Sequence, residues 1–337
     1  MTITIKEVAK EAGVSITTVS RVLNNNYPVK METRIRIEEA IEKLKYKPNA
    51  MARGLITNKS SMIGVVVPGI TNLFFPTIVE AIENLTNKEG YSISLCNTYG
   101  EPEKEKKLIE DLISKRVDGI IIIDPSIENL SSGYLEEMSR ALPLVVVNGC
   151  SDKFECNFVT YDEKAGMAEA LKYLRNLGHE KIAFIRGTRS YSYDIKEKIY
   201  LDMIKEEKLK YKKVLNVGMG NTIEVVEKTR EKVENLILSK NRPTAIFACN
   251  DLMAVGVINA CNKLKLNIPK ELSVMGFDNT LLAHVSHPRL TTVDLNMKEI
   301  GKKAALEILD IIDKENKTKK KIIIGTNLII RESCDKL

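Results

Sequence analysis

The apolar residues of this chain follow two different spacings, and the change comes near residue 62. In residues 1–48, apolar side chains recur three and four positions apart, which is the spacing of one helix face. From Met62 onwards, short runs of valine and isoleucine alternate with amphipathic segments, a pattern typical of parallel sheets covered by helices on both faces. The pattern predicts a small all-α domain followed by a larger α/β domain with doubly wound parallel sheets.

The first two predicted helices are short and are joined by a tight turn. Gly13 allows the left-handed backbone that ends a helix, and Ser15 is a suitable N-cap for the next one. The apolar stripes consist of Val8, Ala9 and Ala12 on the first helix and of Val19, Val22 and Leu23 on the second. Ile16, Thr17, Ser20 and Arg21 are left facing outward. This arrangement matches a helix-turn-helix, whose second helix enters the major groove of DNA, although an ordinary helical hairpin has the same pattern.

A third helix is predicted over residues 32–45, and it completes a domain of residues 1–48. Its apolar side consists of Ile35, Ala40, Ile41 and Leu44. Residues 50–55 can form only a very short helix, which is unstable alone because nucleation costs more than so few hydrogen bonds return. We therefore expect residues 49–61 to act as a hinge and polar linker that orders only when something packs against it.

The body of the chain, residues 62–337, alternates predicted strands with predicted helices. The strands are residues 63–67, 92–96, 119–123, 144–147, 181–185, 245–248 and 273–277. The helices are residues 76–87, 103–115, 165–177, 225–238 and 252–264. A division near Thr160 separates these elements into two sets, which predicts two doubly wound lobes.

The positive charge of the chain is concentrated near its N-terminus. The formal net charge is +6, and residues 1–61 carry +5 of it, with eleven Lys and Arg against six Glu. A basic region of this kind can follow a phosphate backbone, although it can also be an ordinary solvated surface.

Several classes of protein have no support in the sequence. No secretory signal and no apolar run of membrane-spanning length are present, so we expect a cytoplasmic protein. The six cysteines form no C-x-x-C pair, and His284 and His287 stand directly before Pro288, outside the helical context of a zinc pair. With no complete phosphate loop and no catalytic triad signature, the sequence predicts a protein without metal, cofactor or enzymatic activity.

Polar side chains directly follow the predicted strands of the body. They are Asn97, Asp124, Asn148, Asn250 and Asp278. In open α/β sheets, ligands bind outside the carboxyl ends of the strands, so side chains in these positions can converge on one site. Their amides and carboxylates suit vicinal hydroxyl groups, and Phe74 with Phe75 could cover the apolar face of a sugar.

Six segments together resemble the lac repressor (LacI/GalR) family over nearly the whole chain. They are residues 7–24, 46–55, 72–76, 249–256, 276–279 and 288–293. The order and spacing of the first two match the DNA-binding headpiece of that family, and the other four look like signatures of its effector-binding body. A periplasmic solute-binding protein would resemble the body alone, and the headpiece argues against it.

The resemblance implies roles for residues of the headpiece and the hinge. Ile16, Thr17 and Arg21 would face the major groove, with Arg21 reading a guanine through two hydrogen bonds. Ser15, Ser20 and Asn24 would contact phosphates. In the family, the hinge helix folds on operator DNA and pairs with that of a second subunit, which here would involve Asn49, Arg53 and Leu55. Leu55 would then wedge into the minor groove and kink the duplex, unless it merely packs the linker onto the body.

The resemblance also implies a periplasmic-binding-protein-like body with an effector cleft between its lobes. The first lobe would comprise about residues 62–160 and 290–330, and the second about residues 161–289. The cleft residues would be Asn72, Phe74, Phe75, Asp124, Asn148, Tyr193, Lys196, Asn250 and Asp278. One departure concerns an arginine that grips the effector in the family, since either Lys196 or Glu197 stands there, depending on a shift of one residue. A lysine is a point charge rather than a planar fork, so the effector can differ.

Taken together, the resemblance implies a homodimeric transcriptional regulator, usually a repressor, that binds a pseudo-palindromic operator. Its effector would be a small sugar or sugar phosphate, and a phosphocarrier protein acts as co-regulator of some family members. Effector and operator affinities would be linked reciprocally through the hinge. The sign of the response, induction or corepression, stays open, as does dimer or tetramer.

Overall fold

The computed structural model describes residues 3–24, 27–46, 59–149, 155–188, 190–314 and 318–337. It contains two compact units, Met1–Ser60 and Ser61–Leu337, and each is described by itself. No helix within the described ranges is long and apolar enough to cross a membrane.

The N-terminal unit is a small helical domain with helices α1 (Ile5–Ala12), α2 (Ile16–Asn24) and α3 (Met31–Leu44). Gly13 ends α1 with φ at 65°. Ser15 Oγ accepts a hydrogen bond of 3.2 Å from Thr18 N and so caps α2. The side chains packed between the helices are Val8, Ala9, Ala12, Val19, Val22, Ile37 and Ala40. The predicted helix-turn-helix is confirmed.

The apolar side of α3 differs from the predicted one. Ile35 is 43% exposed, whereas Ile37 is completely buried. Ile37, Ala40, Ile41 and Leu44 are spaced three, four and seven residues apart, so they lie on one face of the helix. The prediction that Ile35 belongs to the core was wrong, because its position falls outside this face.

The body contains twelve strands within the described residues. They are β1 (Met62–Val67), β2 (Ser92–Asn97), β3 (Gly119–Ile123), β4 (Leu144–Val147), β5 (Asn157–Tyr161), β6 (Ile182–Arg186), β7 (Lys213–Asn216), β8 (Ala245–Ala248), β9 (Ser273–Met275), β10 (Thr292–Asp294), β11 (Lys321–Ile324) and β12 (Asn327–Ile329). The sequence did not predict β5, β7, β10, β11 or β12, and the strand predicted over residues 273–277 ends two residues earlier, at Met275.

Helices connect these strands and cover both faces of the sheets. They are α4 (Phe74–Lys88), α5 (Pro102–Ser114), α6 (Ile127–Ser131), α7 (Tyr134–Ala141), α8 (Glu163–Asn176), α9 (Tyr191–Glu206), α10 (Glu224–Ile237), α11 (Asp251–Lys263), α12 (Leu281–Val285) and α13 (Met297–Lys314). Helices α6, α7, α9, α12 and α13 were not predicted. The α/β class was predicted correctly, because buried parallel strands need continuous apolar runs.

The strands of the body form two parallel sheets and one small antiparallel pair. The first sheet has the order β11-β5-β4-β3-β1-β2, and the second has the order β7-β6-β8-β9. We call the first sheet with its helices the first lobe, and the second sheet with its helices the second lobe. Strands β10 and β12 pair antiparallel to each other. Because β11 pairs with β5, the chain returns to the first lobe at residues 321–324. Ser333, close to the C-terminus, is hydrogen-bonded to Val274 in β9 of the second lobe.

Candidate functional site

The N-terminal half of α2 presents a row of accessible side chains. Ile16, Thr17 and Arg21 are exposed, and Ser20 is half-buried. Ile16 is 43% exposed, which is unusual for an apolar residue unless another surface covers it. The Arg21 guanidinium carbon lies 5.1 Å from the centre of the Tyr27 ring, so a cation–π contact holds this side chain beside the helix.

The remaining predicted DNA contacts are only partly described. Ser15 is exposed at the start of α2, where its hydroxyl also caps the helix. Asn24 is the last residue of α2. Asn49, Arg53 and Leu55, with the predicted hinge helix of residues 50–55, lie outside the described residues.

Within the body, a small cavity of about 30 Å³ lies between the two lobes. The nine predicted effector residues all line it: Asn72, Phe74, Phe75, Asp124, Asn148, Tyr193, Lys196, Asn250 and Asp278. The structure adds Tyr161, Ser190, Ser192, Asn221 and Cys249 to the lining. The nine predicted residues are far apart in the chain. Of the five that were not predicted, Tyr161 ends β5, Ser190 and Ser192 lie at the start of α9, Asn221 lies in the loop before α10, and Cys249 directly follows β8.

Aromatic rings form one wall of the cavity. The rings of Phe74 and Phe75 are edge-to-face, with centroids 5.2 Å apart, and Tyr161 stands edge-on to Phe74 at 6.3 Å. Asn72 holds the start of α4, because its Oδ1 accepts a hydrogen bond of 3.1 Å from Phe74 N. This wall can pack against an apolar ring face.

The carboxyl ends of β3 and β4 place Asp124 beside Asn148. Both residues have positive φ, 50° and 67°, which Asp and Asn tolerate better than most side chains. Asn148 Nδ2 donates a hydrogen bond of 3.1 Å to Asp124 Oδ1. Burial, with the nearby Glu163 carboxylate, raises the pKa of Asp124 to about 7.

Lys196 projects from α9 into the cleft and is almost completely buried, with a side-chain exposure of 2%. Its Nζ donates a hydrogen bond of 3.0 Å to the carbonyl of Cys249 and lies 3.4 Å from Glu163 Oε1. The same Nζ lies 3.7 Å from the centre of the Phe277 ring. Three different groups thus fix this ammonium in place.

Glu197, the alternative to Lys196, points away from the cleft. Its carboxylate pairs with the Arg186 guanidinium, which also pairs with Asp194 at 2.5 Å. Lys196 rather than Glu197 is therefore the residue of this helix whose charge reaches the cavity. Arg186 is neutralised by two carboxylates of its own lobe.

A hydrogen-bonded chain of side chains joins the two lobes across the cleft. Asn221 Oδ1 accepts hydrogen bonds from Asn72 Nδ2 at 3.0 Å and from Tyr193 OH at 3.2 Å. Asn250 caps α11 by accepting from Met253 N at 2.8 Å, and its Nδ2 donates to Gly220 O at 3.0 Å. Because Asn72 belongs to the first lobe and the others to the second, movement of the lobes must break the Asn72–Asn221 bond.

Asp278 lies just beyond β9 with φ at 119°, in a conformation that L side chains rarely adopt. Among the described residues no hydrogen bond reaches its carboxylate, and burial raises its pKa well above the ordinary value. The loop that carries it is braced by Asp251, whose Oδ2 accepts hydrogen bonds from Thr280 N at 2.7 Å and Thr280 Oγ1 at 3.0 Å. Asp251 Oδ1 also accepts from Thr292 Oγ1 of β10 at 2.7 Å.

Glu163 is the most important cleft residue that the sequence did not indicate. It is the first residue of α8 and is buried against Lys196, and its carboxylate accepts a hydrogen bond from Ser192. Burial raises the pKa of Glu163, and the Lys196 ammonium opposes that rise. It comes two residues after β5, so recognising residues 157–161 as a strand would have drawn attention to it.

A helix-turn-helix unit joined to a two-lobed body with a polar cleft defines a class of ligand-responsive DNA-binding proteins. Known sequences agree with this class. The sequence pattern described as bacterial regulatory proteins, lacI family, matches residues 4–49. A periplasmic binding protein-like domain matches residues 171–334.

Relatives cover nearly the whole chain. Catabolite control protein A of Priestia megaterium is 35% identical over 318 residues, which are 94% of each protein. The HTH-type transcriptional repressor PurR of Pasteurella multocida is 33% identical over 330 residues, 98% of each protein. The crystal structure of the lac repressor dimer bound to operator and the anti-inducer ONPF has the same fold, with a TM-score of 0.89, 24% identity and 99% of both chains covered.

The chain therefore belongs to the lacI family of bacterial regulatory proteins. It is a DNA-binding transcriptional regulator with an effector-binding body, and it is not an enzyme.

Proposed function

We propose that this regulator represses transcription in the cytoplasm by binding a pseudo-palindromic operator as a homodimer. The observation that carries the proposal is the exposed start of α2, where Ile16, Thr17 and Arg21 stand on a helix-turn-helix with a well-packed core. Arg21 would read a guanine in each half-site, and Ser15, Ser20 and Asn24 would contact phosphates. Asn49, Arg53 and Leu55 would act in the hinge between headpiece and body.

The cleft would hold a small polyhydroxylated effector of the sugar class. Asp124, Asn148 and Asp278 offer oxygen and amide groups suited to hydroxyls, while Phe74 and Tyr161 offer ring surfaces. With a cavity of about 30 Å³, a whole effector enters only when the lobes part and the Asn72–Asn221 hydrogen bond breaks. Effector binding would thereby change the spacing of the two hinges in the dimer and alter operator affinity reciprocally.

The first test is Arg21→Ala in the full-length protein. Selection from randomised duplexes at one salt concentration should yield a two-fold symmetric site for the wild type. On that site, Arg21→Ala should bind about 1–3 kcal/mol more weakly and should accept more bases at one position of each half-site, because it loses a bidentate contact to guanine. Affinity is measured on the selected duplex and on a random one.

Lys10→Ala is the charge-matched control, since Lys10 is an exposed cation of α1. It should leave the selected base preferences unchanged and reduce affinity for both duplexes similarly, if at all. Equal losses for Arg21→Ala on the selected and random duplexes would remove Arg21 from base reading. Failure to select any sequence, with or without pooled sugars and sugar phosphates, would contradict the proposed function.

A phosphocarrier protein is a second proposed partner, favoured by a groove on the first lobe. This groove, of about 250 Å³, lies between α4 and α13 and is lined by Glu80, Ala81, Asn84, Leu85, Lys88, Lys298 and Lys302. Its lysines suit a phosphorylated surface next to an apolar contact at Leu85.

The test compares binding of the phosphorylated and unphosphorylated carrier to the immobilised regulator. The double variant Lys298→Glu/Lys302→Glu should weaken binding of the phosphorylated form by at least about tenfold, because it replaces attraction by repulsion. Lys172→Glu, on the exposed side of α8, should have little effect. Equal binding of both forms of the carrier would exclude this groove as a phosphate site.

A further inference from the structure

The cleft contains more buried carboxylates than cations. Asp124 and Asp278 line the cavity, Glu163 stands directly behind it, and all three are buried. Lys196 is the cation that reaches the cavity from the described residues, and it is already held 3.4 Å from Glu163. The same ammonium also lowers the pKa of Asp124 and of Asp278, so a single cation of the described residues serves three buried carboxyl groups.

Two of the three buried carboxyl groups come from opposite sides of the cleft. Asp124 follows β3 of the first lobe, and Asp278 follows β9 of the second. Burial raises the pKa of Asp278, and the carboxylates of Asp251, Glu163 and Asp124 raise it further, so the charge of Asp124 acts on Asp278 across the cavity. Asn148 is the hydrogen-bond donor to Asp124, and no described donor serves the Asp278 carboxylate.

We propose that the effector of this cleft carries an ammonium group that binds between Asp124 of the first lobe and Asp278 of the second. The inference rests on the proposed function and narrows its effector from sugars and sugar phosphates to amine-bearing polar compounds, such as amino sugars. A cavity of about 30 Å³ accommodates a group the size of one or two waters. An ammonium has this size and supplies donors to both carboxylates.

The same arrangement disfavours phosphorylated effectors. A phosphate brought into the cleft would face the buried Asp124 and Asp278, and no cation of the described residues is free to pair with it. Lys196 cannot turn toward it without leaving Glu163 buried and unpaired. Arg186 is engaged by Asp194 and Glu197.

The affinity of this site for an amine should depend on pH, because the ammonium and a proton compete for the same carboxyl group. Burial raises the pKa of Asp124 to about 7, so near neutral pH a bound ammonium must displace a proton from this carboxyl. For an amine whose own pKa lies well above 8 and which therefore stays protonated, affinity should rise as pH increases from 6 to 8, by up to about tenfold per unit for each proton released. A neutral sugar would show no such trend.

The experiment measures binding of compounds matched in skeleton to the full-length protein. The set comprises D-glucosamine, D-glucose and D-glucose 6-phosphate, the corresponding galactose and mannose compounds, and a series of amino polyols and small polyamines. Thermal melting at pH 8 finds the binders, and calorimetry then gives their affinities. We expect at least one amine to bind, at least about tenfold more tightly than its neutral parent, and no phosphorylated compound to bind.

Variants identify the carboxylates responsible. Asp124→Asn and Asp278→Asn each replace a buried carboxyl group by an amide of the same shape, so both should fold, and each should weaken amine binding at least about tenfold. Asp202→Asn, an exposed carboxylate on α9, is the matched control and should bind like the wild type. Arg189, which lies outside the described residues, is tested by Arg189→Ala, which should not change amine binding.

Four results would overturn the inference: a phosphorylated compound that binds, a neutral parent that binds as tightly as its amine, amine binding that survives both Asp→Asn changes, or a set in which no amine binds. If a phosphorylated compound bound and Arg189→Ala abolished that binding, Arg189 would be the cation responsible for it. Operator affinity separates this inference from the proposed function. If a neutral or anionic compound binds and changes operator affinity, the inference is wrong but the proposed function is supported. If an amine binds without changing operator affinity, the amine is not the effector, and the proposed function is not affected.

Discussion

Lys196→Met is expected to lower the free energy of unfolding of the body by about 3–5 kcal/mol, because it leaves a buried carboxylate without its cation. Glu163 is almost fully buried, and Lys196 is its ion-pair partner in the structure. The change also deprives the Cys249 carbonyl of a donor and removes the cation above the Phe277 ring. Urea unfolding at pH 8, followed by circular dichroism because the chain has no tryptophan, measures the loss.

The control for Lys196→Met is Lys198→Met, which changes an exposed lysine of the same helix and should alter stability by less than about 0.5 kcal/mol. Adding Glu163→Gln to Lys196→Met should recover much of the loss, since the unpaired charge disappears. In the single Lys196→Met variant the pKa of Glu163 should rise further, so the deficit should be smaller at pH 5 than at pH 8. A pH-independent loss below about 1 kcal/mol would show that the pair contributes little.

The sheets could be predicted where strands are buried on both faces and therefore apolar throughout. Strand β5 escaped notice because it carries Asn157 and Thr160, yet it lies between β4 and β11 in the sheet. Asn157 is accommodated there because its Oδ1 accepts from Lys320 N at 3.0 Å. Strand β7 was not predicted for another reason: it is an edge strand, and its Lys213 and Asn216 are exposed.

Asp124, Asn148, Asn250 and Asp278 could be predicted because the carboxyl ends of parallel strands meet at one edge of each sheet, although Asn97, which also ends a strand, does not line the cavity. The placement of the other five predicted residues in the cleft depended on the family resemblance. Glu163 could not be predicted, since the strand before it was unrecognised.

The family motif also could not distinguish Lys196 from Glu197, and the two side chains point in different directions because one residue turns a helix by about 100°. The spacing of Tyr193, Lys196 and Tyr200 indicates that Lys196 faces inward, because Lys196 and Tyr200 follow Tyr193 by three and seven positions and so lie on one buried face of the helix.

The contacts between lobes had no signal in the sequence. Asn221 lies in a loop between β7 and α10, and only the folded chain places its side chain against Asn72. Such a contact depends on the relative position of two sheets, which neither periodicity nor motif spacing encodes. The network around Asp251 is of the same kind, because it joins α11, the loop that carries Asp278, and β10.

Asp251→Ala is expected to cost about 2–4 kcal/mol of unfolding free energy and to abolish binding in the cleft, because it leaves buried donors unsatisfied. These donors are Thr280 N, Thr280 Oγ1 and Thr292 Oγ1, within 2.7–3.0 Å of the carboxylate. Thr280 is two residues from Asp278, so the loss of this brace should move the carboxylate that we assign to the effector. Binding of the tightest amine from the set above measures this displacement.

The Asp251→Asn variant removes the charge of Asp251 but keeps a side chain that can hold the Asp278 loop in position. Its amide oxygen can still accept from Thr280 N, and its Nδ2 can donate to Thr292 Oγ1 once that hydroxyl turns. Burial raises the pKa of Asp251, so the folded protein gains little from the charge itself. Asp251→Asn should therefore retain most of the stability and most of the amine affinity, whereas Asp202→Ala should match the wild type in both. If Asp251→Asn lost binding as completely as Asp251→Ala, the charge of Asp251 would act on the effector directly, and its role as a positioning residue would be wrong.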